Sequence, residues 1–269
     1  MIESKIQSEL NKKYNPEGSP LRNQQLHVLD ILVLFDKICR ENGIDYWLHG
    51  GTLLGAVRHG GFIPWDDDVD VCIKAVDYRK FRKVFLRNLP KRYRLVDYRT
   101  SPRECHRTWI RIVDTKYSVK RIYNEEIVTE PVWIDVFTMI NGTVKKKRFL
   151  ENTHGKILRR RMNVILDGHA KRNVALLLYP FSAFLTDIVK LYDRIFNKDL
   201  YVQNYGCFFF FKELPAKKLF PTKDIMFEGH RLRGPANSHE ICRLMYDDYM
   251  SLPDEEERAT HDIIEFISN

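Results

Sequence analysis

The sequence of 269 residues predicts an α+β fold, in which helices flank a mixed sheet and the C-terminal half is mostly helical. Three observations lead to this prediction. Helical and strand-like segments alternate between residues 21 and 142, and the pattern turns mostly helical from residue 143. With 44% hydrophobic and 12% aromatic residues, the chain can also bury a full core.

The elements divide the chain into an N-terminal extension (1–20), a core (21–142) and a helical C-terminal region (143–269) packed on the core. Ser19-Pro20 is typical of an N-cap followed by proline at the first helical position, so a helix is expected from there to Asn42, before Gly43. Strands are expected at 44–49, 68–74, 93–97, 108–113 and 132–139, with a further candidate at 118–123, and a basic amphipathic helix is expected at 77–88.

Charge and cysteine usage narrow the functional class. The net charge of +8 indicates an anionic partner such as a nucleotide, a phosphorylated glycan or an acidic membrane, although a solvated basic exterior also explains it. Five cysteines without a C-x-x-C pair exclude a zinc ribbon and fit a reducing compartment. Because the first residues include an acid and no apolar run, we expect no signal peptide and a cytoplasmic protein.

The most informative segment combines a glycine pair with an acidic run. In a strand, Asp68 and Asp70 point to one face while Val69 and Val71 point into the core. Two neighbouring carboxylates repel each other unless a cation lies between them. A hard divalent ion suits such ligands, so we expect Mg²⁺, with Mn²⁺ as an alternative.

The residues before the acids are suited to a phosphate. The turn at Gly50-Gly51 lets backbone N–H groups approach a phosphate at the start of the helix that begins at Thr52. Arg58, on that helix, would offset negative charge in the transition state, and His59 adds a second positive group. A phosphate beside a metal is the arrangement of a phosphoryl-transfer site.

Further acids and aromatic residues extend the predicted site. Asp135, a lone charge in an apolar strand, either completes the metal shell or accepts a proton from a hydroxyl; an exposed strand-end aspartate is the alternative. Asp66 and Asp67 are expected to orient the ligands. Most nearby aromatic residues belong in the core, but one or two could hold a quaternary ammonium: Tyr46, Trp47, Trp65, Trp109 and Trp133.

Together these motifs resemble the LicD family, which groups bacterial phosphocholine transferases with eukaryotic relatives of the fukutin type. The resemblance covers about residues 25–262, and Asp247 stands where the family usually has glycine. The motifs that carry it are Gly50 to Gly55, Arg58-His59, Phe62 to Asp70, Ile134 to Phe137, Phe227 to Gly229, Tyr246 to Tyr249, and Pro253 to His261.

The resemblance implies a nucleotidyltransferase-like catalytic core at 21–142. It implies transfer of a phospho-alcohol, most often phosphocholine, from a CDP-activated donor to a hydroxyl of a cell-surface glycan or glycolipid precursor, such as lipopolysaccharide or teichoic acid. CMP would leave. The catalytic and metal-binding residues would be Asp68, Asp70 and Asp135, and the substrate-binding residues Gly50, Gly51, Thr52, Arg58, His59, Asp66 and Asp67.

Two alternatives stay open. A nucleotidyltransferase would move NMP from an NTP to a sugar or small molecule and release pyrophosphate. A non-catalytic glycan- or nucleotide-binding protein of the same fold would be free to lose the three acids. We expect no nucleic-acid partner, because the basic segments lack a recognisable reading motif.

Basic clusters at 145–148, 159–161 and 171–172 precede an apolar run at 174–185. The run is too short to span a bilayer, which needs roughly 20 apolar residues. It is interpreted either as a core helix pair or as a membrane-surface element whose basic neighbours meet anionic headgroups. The second interpretation predicts peripheral contact at the inner face of the membrane.

Overall fold

A mixed sheet of eight strands, with helices packed against it, forms the centre of the protein. The computed structural model describes residues 2–98, 101, 104–105, 107–123, 125–166, 174–207, 210–258 and 263–269. The elements are α1 (Ser4–Tyr14), α2 (Pro20–Glu41), β1 (Tyr46–Leu48), α3 (Gly50–Arg58), β2 (Asp70–Lys74), α4 (Tyr78–Asn88), β3 (Tyr93–Val96), β4 (Ile110–Tyr123), β5 (Glu126–Asn141), α5 (Val144–Leu150), α6 (Lys156–Leu166), α7 (Val174–Phe196), β6 (Leu200–Gln203), β7 (Leu214–Pro215), α8 (Ala216–Leu219), β8 (Lys223–Phe227), β9 (His230–Gly234), α9 (Ser238–Tyr246) and β10 (Ile263–Ser268).

The central sheet has the order β1-β2-β5-β4-β10, with β3 also paired to β4, and β6 linking β5 to β7. Strands β2 and β5 are parallel, and the other pairs of this sheet are antiparallel. Strands β8 and β9 form a separate hairpin. The predicted α+β class, a mixed sheet flanked by helices, is confirmed.

Helix α2 begins and ends where the sequence signals predict. The Ser19 hydroxyl accepts a hydrogen bond from the Arg22 N–H (3.2 Å), which satisfies one of the unpaired donors of the first turn. Beyond the C-terminus, Gly43 has φ of +58°, a conformation that favours glycine. One face of α2 packs into the core, where the Phe35 ring lies 5.1 Å from that of Phe85 on α4.

Two strand predictions need correction. Strand β2 starts at Asp70, so Asp68 lies in the preceding loop and does not share a strand face with Asp70. The segments predicted as separate strands at 108–113 and 118–123 belong to one strand, β4, whose pairing with β5 shifts between Val113 and Ser118. Both errors arise because strand ends depend on the pairing partner, which a single segment does not reveal.

Both ends of the chain pack onto the core. Leu10 of α1 is buried with Leu54, Ile63 and Trp65, so the predicted extension covers α3. After residue 143, the described residues up to Phe196 form helices, including α5, α6 and α7, and the residues that follow contribute β6, β7 and β10 to the central sheet. The Lys171-Arg172 cluster and part of the C-terminal motif, including His261, lie outside the described residues.

Candidate active site

Three charged side chains form a row across the sheet. Asp70 on β2 is the register partner of Asp135 on β5, and Asp135 is in turn the partner of Arg111 on β4. Register partners on neighbouring strands point to the same face, roughly 5 Å apart. The opposite face holds the apolar residues that alternate with them, including Val71 and Ile134, which are fully buried.

The glycine pair at the start of α3 makes room for two carboxylates. Gly50 has φ of +56°, and a side-chain carbon placed there would lie 2.5 Å from Asp70 Oδ2. At Gly51 such a carbon would lie 2.6 Å from Asp66 Oδ2. The two acids therefore lie against the first turn of α3, whose backbone carries partial positive charge. Glycine at both positions therefore leaves room for the acids, and the approach of a phosphate to this turn stays a prediction.

Thr52 also positions Asp70. Its hydroxyl accepts a hydrogen bond from the Asp70 N–H (2.8 Å), and the Thr52 side chain is buried. This contact fixes the start of β2 against α3. The observed role of Thr52 is thus to hold the acidic strand.

The loop before β2 brings further acids together. Carboxylate oxygens of Asp66, Asp67 and Asp68 lie within 4.8 Å of one another. Two buried glutamines of α2 hold this loop through its backbone: Gln24 donates to the Asp67 carbonyl and Gln25 to the Asp66 carbonyl, both at 2.7 Å. The cluster is therefore built on a fixed loop.

Asp67 has a different environment from its neighbours. Its Oδ2 accepts from Arg121 Nη1 at 2.7 Å and from Gln24 Nε2 at 3.2 Å, and the side chain is buried. Removal of either partner of this buried pair would leave an uncompensated charge, so Asp67 and Arg121 depend on each other. Asp66, Asp68 and Asp70 are half-buried, and Asp66 and Asp70 lie against the first turn of α3.

Asp135 is surrounded by donors. Its Oδ1 accepts from Trp109 Nε1 (2.8 Å) and Arg111 Nε (2.9 Å), and its Oδ2 accepts from Trp133 Nε1 (3.2 Å). A carboxylate oxygen has two lone pairs, so one on Oδ2 has no donor among the described residues. This arrangement suits a metal ligand better than a proton acceptor, because three donors already point at the carboxylate.

The cluster concentrates negative charge where water is scarce. Burial, and then the charges of Asp70 and the other acids nearby, raise the pKa of Asp68 well above its usual range. Burial and then the charge of Asp135 raise the pKa of Asp70 in the same way. A cation placed among these carboxylates would reverse both effects.

The donor set fits a hard divalent cation. Carboxylate oxygens are the ligands that Mg²⁺ and Mn²⁺ prefer, and Mg²⁺ is usually held by one or two carboxylates together with substrate phosphates. Asp70, Asp68 and Oδ2 of Asp135 are the residues that would hold it, with Asp66 beside them. Asp67 is less suited, since Arg121 already compensates its charge.

Comparisons with known proteins indicate the family to which this region is related. The pattern that defines the LicD/FKTN/FKRP nucleotidyltransferase-domain family matches residues 43–166. The lipopolysaccharide cholinephosphotransferase LicD of Haemophilus influenzae is 29% identical, over 91% of this chain and 97% of that protein. The chain contains a LicD-family domain.

Two eukaryotic relatives match over shorter segments. The ribitol 5-phosphate transferase FKRP of Homo sapiens is 63% identical over 35 residues, which are 13% of this chain and 7% of that protein. The ribitol-5-phosphate transferase FKTN of Mus musculus is 40% identical over 50 residues, 19% of this chain and 11% of that protein. All predicted site residues, from Gly50 to Asp135, lie inside the matched LicD domain.

Within the LicD domain, Arg58 and His59 lie at the far end of α3 from the acids. Arg58 Nη1 donates to the carbonyls of Tyr249 (3.1 Å) and Ser251 (2.9 Å), and its Nε donates to His59 Nε2 (2.9 Å). The other ring nitrogen of His59 lies 2.7 Å from Gln7 Oε1, and burial followed by the charge of Arg58 lowers the pKa of His59 to about 3. The structure therefore shows both residues joining α3 to the ends of the chain.

The predicted ammonium-binding aromatics of the LicD domain are largely occupied. Tyr46 and Trp47 are fully buried. The Arg111 guanidinium lies 3.9 Å from the ring centroid of Trp133, and Arg107 lies 5.3 Å from that of Trp109. These cation–π positions are taken by arginine, so the structure gives no support for a choline site at these two rings.

Two residues near the site, His49 and Tyr246, belong to no sequence pattern that predicts a functional role. His49, just before the glycine pair, is buried, and its Nδ1 has no hydrogen-bond partner among the described residues. Tyr246, at the end of α9, is partly exposed, yet loss of water and the charges of Asp70, Asp66 and Asp68 raise its pKa. Its distance of 176 residues from Asp70 in sequence hides this proximity.

Proposed function

We propose that the protein is a divalent-metal-dependent transferase that moves a phospho-alcohol from a CDP-activated donor to a hydroxyl of a cell-surface glycan precursor. At the coarser level it is a LicD-type transferase of phosphate-containing groups, related over nearly its whole length to a cholinephosphotransferase. The observation that carries the proposal is that Asp66 and Asp70 lie against the first turn of α3, with Asp68 beside Asp66 and Asp135 beside Asp70 on the neighbouring strand.

The proposed reaction displaces CMP. The acceptor hydroxyl oxygen forms a bond to the phosphorus that carries the alcohol, and the bond from that phosphorus to the CMP oxygen breaks. The hydroxyl proton passes to a carboxylate of the cluster, and the electron pair of the broken bond stays on CMP. When bound, Mg²⁺ would neutralise charge that develops on the phosphate oxygens.

Each residue contributes by holding a position. Asp68 and Asp70 would bind the metal, and Asp135 would add one oxygen while it orients Arg111. Arg111 contacts Asp135 directly, so we propose it in place of Arg58 as the side chain expected to offset phosphate charge. Gly50, Gly51 and Thr52 keep the carboxylates against α3.

A cavity of about 370 Å³ lies next to Trp109 and offers room for part of a substrate, although none of Asp66, Asp68, Asp70 and Asp135 lines it. Its wall includes Trp109, whose indole N–H donates to Asp135, and residues of β5 and α7.

Phosphocholine is the favoured group because of the relative in Haemophilus influenzae, and ribitol phosphate is the second candidate because of the FKRP and FKTN matches. We place the reaction in the cytoplasm, since all five cysteines are free thiols.

A ligand screen tests the proposal. The melting temperature of the protein with Mg²⁺ is measured with CDP-choline, CDP-ribitol, CDP-glycerol and each NTP. A donor at one hundred times its dissociation constant stabilises the fold by about 2.7 kcal/mol. We expect stabilisation by a CDP-alcohol and its loss when EDTA replaces Mg²⁺.

The products separate the alternatives. Release of CMP from the stabilising donor supports phospho-alcohol transfer, whereas release of pyrophosphate from an NTP supports a nucleotidyltransferase. Binding without release of either product, in the presence of candidate glycan acceptors, would favour a non-catalytic binding protein.

A further inference from the structure

Helix α7 leaves a broad apolar face uncovered. Large apolar side chains recur along it every three or four residues, including Leu177, Phe181, Phe184, Ile188 and Leu191, and the side chain of Leu177 is 81% exposed. Neighbouring positions such as Leu178 and Leu185 are also exposed, so the apolar stripe is wider than the narrow a/d seam of a coiled coil. A continuous exposed apolar surface of this kind marks an interaction site.

Polar contacts fix the other face of α7 to the protein. Asp193 is buried and paired with Lys146 of α5. Lys190 Nζ lies 2.9 Å from the Tyr205 hydroxyl, and Ser182 Oγ lies 2.8 Å from His154 Nδ1. Although α7 is long and apolar enough to cross a membrane by length and composition, these contacts bind it sideways to the fold along several turns.

The positive charge of the chain is concentrated around this helix. Residues 144–198 contain thirteen Lys and Arg but four Asp and Glu, a net charge of +9, whereas the whole chain has +8. Exposed cations of this segment include Lys145 and Arg148 on α5 and Arg194 on α7. Phe149, also on α5, adds a further exposed apolar side chain. An anionic surface complements this charge, whereas a second copy of the chain would bring an equal positive charge against it.

We propose that α7 is a membrane-docking helix that lies in the plane of an anionic phospholipid surface. Its apolar face would enter the headgroup boundary while the surrounding Lys and Arg side chains contact lipid phosphates. Leu191 and Arg194 of α7 also line the cavity beside Trp109, so docking would place that cavity close to the lipid surface. The docking itself is independent of the proposed transferase activity.

Vesicle flotation of the full chain tests the proposal. We expect the wild type to float with phosphatidylglycerol-containing vesicles at low salt, and to stay in solution with pure phosphatidylcholine or at 1 M salt. Leu177→Asp is expected to lower binding at least tenfold, and the Lys145→Glu, Arg148→Glu pair to lower it several-fold. Lys146 and Lys147 are unsuitable for charge reversal, because they hold Asp193 and the Phe210 carbonyl.

Ile127→Asp supplies the matched control. Ile127 on β5 is 68% exposed and lies outside the proposed surface, so its change should leave flotation unaltered. Thermal melts establish that each variant is folded. The proposal is overturned if the wild type stays unbound with anionic vesicles at low salt, or if Leu177→Asp and Ile127→Asp bind equally. If the protein instead forms a dimer without lipid, binds no vesicles, and loses the dimer on Leu177→Asp, the apolar face serves self-association. If membrane-bound protein resists carbonate extraction, α7 spans the membrane.

Discussion

At the scale of single residues, the site depends on the absence of a side chain as much as on the acids. Gly50→Ala would place a methyl group 2.5 Å from Asp70 Oδ2, in a backbone conformation with positive φ. We expect a loss of about 2–3 kcal/mol in the free energy of unfolding, together with loss of Mg²⁺-dependent stabilisation, measured by urea unfolding with and without the metal.

Gly18→Ala is the control for the backbone alone. Gly18 has φ of +80°, and an added side-chain carbon there meets nothing within 4 Å. Its change should cost about 1 kcal/mol and leave the response to Mg²⁺ intact. Equal effects of the two variants would mean that the approach of Asp70 to α3 is not important.

A second residue-scale prediction concerns acid stability. Burial, and then the charge of Lys147, lower the pKa of His49 from 6.5 to about 4. Between these pH values the unfolded chain binds a proton that the folded chain does not, so His49 lowers stability as the pH falls through this range. The full shift corresponds to about 3 kcal/mol. His49→Phe should therefore lose less stability than the wild type between pH 7 and pH 4 in urea unfolding.

His49 is the N-cap residue of α3, but its side chain makes no capping hydrogen bond. The His49→Phe variant therefore loses no helix cap relative to the wild type. An identical fall in both proteins would show that His49 does not titrate in this way.

The sequence alone supported part of this residue-scale picture. Spacing predicted Asp68 and Asp70 as a same-face pair, which the structure does not show. Asp135 was predicted to join Asp70, because a lone buried charge in an apolar strand is costly, and the two are register partners.

Thr52 and Arg58 were predicted as phosphate contacts, and the structure shows protein partners for both. Their partners lie on segments distant in sequence, such as the carbonyl of Ser251, and no local pattern specifies them.

At the scale of elements, local signals located helices well and strand ends poorly. Helix α2 has its own cap and stop residues, so Ser19 and Gly43 defined it. The start of β2 is set instead by pairing with β5 and by the Thr52 contact. The C-terminal strand β10 was not predicted, because its partner β4 lies more than a hundred residues earlier.

The turn after α9 gives an element-scale prediction. Asp247 has φ of +55° and ψ of −103°, a conformation that glycine adopts easily and other residues adopt at a cost of about 1–3 kcal/mol. This conformation fits the glycine that the LicD resemblance leads us to expect at this position. Asp247→Gly should raise the free energy of unfolding by about 1 kcal/mol, after the greater entropy of the unfolded glycine chain is subtracted.

Asp247→Ala keeps the β-carbon and should give no such gain. If both variants stabilise the protein equally in urea unfolding, loss of the Asp247 charge and not relief of the backbone accounts for the effect.

At the scale of the whole molecule, charge is divided between two regions. The acids collect at α3, at the start of β2 and at Asp135 within β5, while residues 144–198 carry the positive excess. Composition indicated an anionic partner but not the place of either region. The fold shows how the two regions are located, because α7 packs against β5, the strand that carries Asp135.

The turnover rate of the Asp70→Asn variant tests most directly the proposal that these carboxylates act in catalysis. CMP release from the CDP-alcohol that best stabilises the wild type is followed at saturating Mg²⁺, beside a thermal melt of the metal-free protein. We expect turnover to fall by at least about a hundredfold, since a metal ligand is removed. The melting temperature should hold or rise, because one of the repelling carboxylates is gone. Asp67→Asn should instead lower the melting temperature, since it leaves Arg121 without its buried partner. Near-normal turnover by Asp70→Asn in a folded protein would contradict the assignment of these carboxylates to catalysis.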